Sequence, residues 1–120
     1  MRDSLPDIHS NFMLRVREEV LPEIKSGEKS VEIRPATPKF EKVRLRDFLT
    51  FNEAIVRMVI GIRRFETIEE VVRVVGAGKI FPPLADQPDE LITELHKLFA
   101  QSDQSKDFLV FDLQPIPDEV

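Results

Sequence analysis

With 120 residues, 42% hydrophobic and 32% charged, the chain is long enough to fold around one core that burial alone can stabilise. It has no cysteine, which excludes disulfides, thiolate nucleophiles and thiolate metal sites. No apolar run approaches the roughly 20 residues of a membrane span and no secretory leader is visible, so the expectation is a cytoplasmic protein with no membrane partner. The net charge of -5 argues against coating nucleic acid by bulk attraction, but the charge is unevenly spread. Residues 13–65 carry twelve Lys/Arg against eight Asp/Glu, or +4, and residues 66–120 carry four against twelve, or -8.

Residues 1–12 read as a polar N-terminal extension, 13–114 as the domain and 115–120 as an acidic tail. Phe12, Leu14 and Val16 alternate with Met13, Arg15 and Arg17, which predicts a half-buried first strand. The spacing of Val20, Leu21 and Ile24 predicts a short helix over 18–26. Pro22 is tolerated in its first turn, and Gly27 lies just past its end, where a left-handed backbone is cheapest for glycine. A second strand over 30–34 puts Val31 and Ile33 on the core face and Ser30, Glu32 and Arg34 on the other. Pro35 and Pro38 end it and open a charged loop whose Phe40 reads as an anchor.

A turn at Arg46-Asp47 leads into a third strand ending at Phe51. The fourth strand is the strongest: Val56, Met58, Ile60 and Ile62 form one apolar face and Arg57, Val59, Gly61 and Arg63 the opposite one. Gly61 inside it predicts a bulge or a close approach that opens room beside Arg63. Thr67 and Glu70 have the spacing of a capping box, and Ile68, Val71, Val72 and Val75 continue at helical intervals to Gly76. A connector over 78–83 and a second well-formed helix over 88–99 follow, and 108–113 closes the sheet.

Chemistry concentrates after Gly27. Glu32 and Arg34 lie two apart on one strand face with Lys29 at its edge. That sets a carboxylate between a movable cation and a planar donor fork, which suits a ligand bearing both donors and an anionic group. The plain alternative is a set of exposed cross-strand ion pairs. Arg63 and Arg15 are weaker candidates for the same wall. His9 and His96 are far apart in sequence and there is no cysteine, so no metal site and no cofactor are expected.

The pattern Gly-x-Lys-x-x-Glu-x-Arg formed by Gly27, Lys29, Glu32 and Arg34, the Arg46-Asp47-Phe48 and Phe51-Asn52 segments, and the run Val59-Ile60-Gly61-Ile62-Arg63-Arg64-Phe65 together resemble the ASCH domain family, of the PUA-like superfamily, over roughly residues 13–113. The resemblance implies an α+β fold. This is a small, mostly antiparallel PUA-like β-barrel of about five strands with two or three helices on one side and a cleft lined by the motif's charges. It also implies RNA or a nucleotide-like ligand, bound by the motif's Lys29, Glu32 and Arg34, to which strand position adds Arg63 and Arg15 as weaker candidates. Some small ASCH proteins are amidohydrolases that deacetylate acetylated cytidine with a lysine and a threonine of this motif and a later glutamate. Lys29 and Glu32 are then the catalytic candidates, but Glu32 stands where those enzymes have threonine. Binding is therefore the leading expectation and hydrolysis of a modified nucleoside the alternative. A protein partner for the acidic second half is a third reading.

Overall fold

The computed structural model describes residues 9–101 and 107–116, so the expectations for 1–8 and 117–120 lie outside the described residues. Five strands form one sheet: β1 (Asn11–Leu14), β2 (Val31–Pro35), β3 (Phe48–Phe51), β4 (Ile55–Phe65) and β5 (Phe108–Pro115), in the order β1-β3-β4-β5-β2. Only β1 and β3 run parallel. The expected barrel is a half-barrel, in which β1 and β2 are the outer strands among the described residues. Side chains rather than a backbone ladder bridge those edges. Arg34 on β2 donates from Nη2 to the Arg15 carbonyl at 2.9 Å, and Lys39 donates to the Met13 carbonyl.

Both faces of the sheet are covered. On the convex side α3 (Ile68–Val75), α4 (Ala77–Ile80) and α5 (Pro88–Leu98) contribute Ile68, Val71, Ile80, Leu91 and Leu95 to a core with Val31, Ile33 and Val110. On the concave side α1 (Leu21–Ser26) and α2 (Pro38–Glu41) place Ile24 and Phe40 against Leu49, Phe51, Val59, Leu109 and Phe111. Five short helices on two sides therefore replace the two or three expected on one. The charged loop after Pro35 contains α2, and the connector after Gly76 contains α4. Each has four residues, too few for a helical period to show.

Local signals account for most of the boundaries. Pro22 lies in the first turn of α1, and Gly27 ends it at φ +88°, where a side chain would be strained. Thr67 accepts from the Glu70 amide at 3.1 Å, while Glu70 reaches back to the Glu66 amide rather than to Thr67. In β5, Leu109 and Phe111 fill the concave core and Val110 the convex one, which explains an apolar run that does not alternate with polar residues. The strand also runs past the expected end at 113, Pro115 lying opposite Arg57.

The predicted apolar face of β4 is not continuous. The register slips between Val59 and Gly61, leaving Ile60 out of step and 50% exposed. Val59 and Ile62 then both serve the concave core, and the face expected to join Arg57, Val59, Gly61 and Arg63 is split as well.

Candidate functional site

The concave face of β2 is where charge goes underground. Glu32 lies opposite Phe111 and Arg34 opposite Leu109, so both point into the half-barrel rather than to solvent. Glu32 is 5% exposed and Lys29 7%. The Glu32 carboxylate accepts from Arg34 Nε at 2.6 Å through Oε2, and Lys29 Nζ lies 3.5 Å from Oε1. The Lys29 ammonium also donates to the Val31 carbonyl at 2.9 Å and, across the sheet edge, to the Ile80 carbonyl at the end of α4 at 2.8 Å. Arg34 completes the group with its guanidinium carbon 5.6 Å from the Phe40 ring centroid, a cation–π distance. Its Nη1 has no partner among the described residues.

Such a triad is expensive. Taking Lys29 and Glu32 out of water costs several kcal/mol each before attraction within the group returns it, and apolar residues of similar volume commonly serve stability as well.

The structure brings Lys29, Glu32 and Arg34 together and adds Arg15 only through its backbone carbonyl; the Arg15 side chain is exposed. Arg63 is elsewhere. It lies opposite Val110, which faces the convex core, and pairs with Asp112 through Nη2 at 2.8 Å. The space beside Gly61, expected to admit a ligand, is taken by that aspartate: a Cβ on Gly61 would lie 2.5 Å from Asp112 Oδ2. Phe40 is the expected anchor, packed 6.1 Å from the Phe111 ring. His96 is exposed at the end of α5 and pairs with Glu69 of α3 at 2.9 Å. Among the described residues no group of His, Asp and Glu is placed to hold a metal ion, and no helix is long and apolar enough to cross a membrane.

Two charged groups escaped the sequence reading. Arg57, placed by alternation on one face with Val59, Gly61 and Arg63, is buried on the concave side. Its contacts there include the Val56 carbonyl, to which it donates at 2.8 Å, and, more weakly, the Ile24 and Lys25 carbonyls at the end of α1. Glu23, in the first turn of α1, has Oε1 buried without a partner. Burial raises its pKa above the ordinary glutamate value; the Lys29 charge works against this, and Glu28 and Glu19 add to it. A carboxyl with a raised folded-state pKa favours the fold below its unfolded pKa, and that contribution is lost as pH rises through the folded one. Glu23→Gln is thus expected to raise the urea midpoint at pH 7 and to converge with wild type near pH 4. Equal midpoints at pH 7 would refute the penalty.

A five-stranded mixed half-barrel with helices on both faces is the fold of a PUA-like domain. Residues 14–114 match the ASCH domain family, and the chain belongs to that family. Three solved structures share the fold. The hypothetical protein PH0355 aligns with TM-score 0.80 at 19% identity, covering 88% of this chain and 99% of that one. Protein PF0455 from Pyrococcus furiosus gives 0.71 at 18%, covering 88% and 97%. A mutant of the ZmASCH protein from Zymomonas mobilis gives 0.60 at 15%, covering 88% and 68%. No curated protein matches the chain significantly.

Proposed function

We propose that this ASCH domain binds RNA or a nucleotide at the concave edge of β2, with Arg34 as the contacting group and Glu32 and Lys29 as the charges that orient it. The observation that carries this reading is the nearly complete burial of Glu32 between two cations on an otherwise apolar face. Glu32 fixes the guanidinium through Nε and the Arg15 carbonyl fixes Nη2. The half-buried fork then has Nη1 left for a phosphate or a base edge, with its rotamer entropy already spent. The family's PUA-like fold and the basic balance of residues 13–65 support the same ligand class.

Lys29 weighs toward binding rather than amide hydrolysis. Two carbonyls and a carboxylate surround its three hydrogens, and Glu32 rather than a hydroxyl stands beside it. Titrating labelled protein with short RNAs and mononucleotides is expected to shift amide signals across 29–34 and around Arg15. Arg34→Ala is expected to weaken binding about tenfold or more, the scale of a lost hydrogen bond to a charged group. Arg73→Ala, on the exposed side of α3, is expected to leave binding unchanged. Unmoved signals across the ligand panel would overturn the reading. Turnover of acetylated cytidine that Lys29→Ala abolishes would restore the hydrolase.

A further inference from the structure

We propose a second nucleic-acid contact along the outer edge of β1: a groove lined by Ser10, Asn11, Phe12, Glu41, Lys42 and Arg44 that holds the phosphate backbone of single-stranded RNA. The inference rests on the binding role proposed above and extends it from one nucleotide to a strand.

The charge balance of the groove is the first observation. Lys42 and Arg44 are exposed and make no ion pair among the described residues. Glu41, the acid in the lining, is held by Arg64, which also binds Asp107. Nearby Asp47 is buried, and its two oxygens accept the Ser10 and Arg44 amides at 2.9 and 2.8 Å. These bonds tie the start of β1 to the backbone that carries Arg44, so two uncompensated cations stand on a fixed rim. Two such charges in a groove that half-buried Phe12 also lines offer phosphate contacts near an aromatic side chain, the combination that single strands use.

The second observation is continuity. Along β1 and the residues flanking it, the Arg15 carbonyl is taken by Arg34, the Met13 carbonyl by Lys39, and the groove follows at Asn11 and Ser10. Cations therefore track one strand edge from the triad to the groove, about 13 Å at the usual rise per residue. Because Lys39 and Arg34 occupy those carbonyls, the edge is closed to an added β-strand, which argues against a peptide as the occupant.

The test compares a short pyrimidine-rich single-stranded RNA with a mononucleotide. Lys42→Ala/Arg44→Ala is expected to weaken the RNA about tenfold at low salt, to reduce the slope of log affinity against log salt by about 1.4, and to leave mononucleotide shifts at Arg34 in place. Both residues are exposed, so thermal unfolding is expected to match wild type. Wild-type RNA affinity and slope in the double variant would overturn the groove while leaving the Arg34 site standing. A polyglutamate peptide that binds there as tightly as RNA would also overturn it. If wild type binds neither RNA nor mononucleotide, both readings fall together.

Discussion

Glu32→Ala is expected to lower the unfolding free energy by about 3–5 kcal/mol, the cost of breaking a buried ion pair from one side. Its removal leaves the buried Lys29 ammonium with carbonyl partners alone and the half-buried Arg34 guanidinium with the Arg15 carbonyl. At a urea m-value of about 2 kcal/mol/M, typical of small domains, the midpoint falls by about 2 M. Replacing the whole triad is a different experiment. Lys29→Met, Glu32→Leu and Arg34→Met together remove every charge and keep most of the volume. The expected loss is under about 2 kcal/mol, since only the Val31, Ile80 and Arg15 carbonyls lose donors. A triple variant that folds and no longer binds nucleotides would assign the charges to the ligand. A triple variant as unstable as Glu32→Ala would assign them to the fold.

The sequence made the face of Glu32 and Arg34 legible but not what covers it. Alternation from Val31 to Arg34 placed both on the side opposite Val31 and Ile33, as observed. It says nothing of a second layer, and that layer depends on α2, which looked like a charged loop. Gly61 signalled an irregularity in β4, but a one-residue slip reassigns every later side chain, so Ile62 came to the face of Val59 and Ile60 was left exposed. For the same reason Arg63 separated from the other candidates. Arg57 and Glu23 gave no local signal, because their burial comes from packing around α1 and not from their neighbours in sequence. Helix ends were read best, since Pro22, Gly27 and Thr67 act within a few residues of themselves.

Phe111→Ala is expected to cost about 3–5 kcal/mol, the range for a large aromatic deleted from a filled core. Phe111 is fully buried on β5, between Glu32 on β2 and Ile62 on β4, and its ring packs against Phe40 beneath Arg34. It is thus the floor on which the triad rests. Removing the ring leaves a cavity beside a buried carboxylate, and water entering there would hydrate Glu32 and loosen the guanidinium it positions. The two substitutions are therefore expected to couple. In the Glu32→Ala background, Phe111→Ala should cost less than in wild type by about 0.5–3 kcal/mol, the range for residues in contact. Strict additivity in a urea-denaturation cycle would show that the charge does not feel the ring. In wild-type background the conservative Phe111→Leu should retain most of the stability but weaken nucleotide binding, if the ring's support of Phe40 is what holds Arg34 in place.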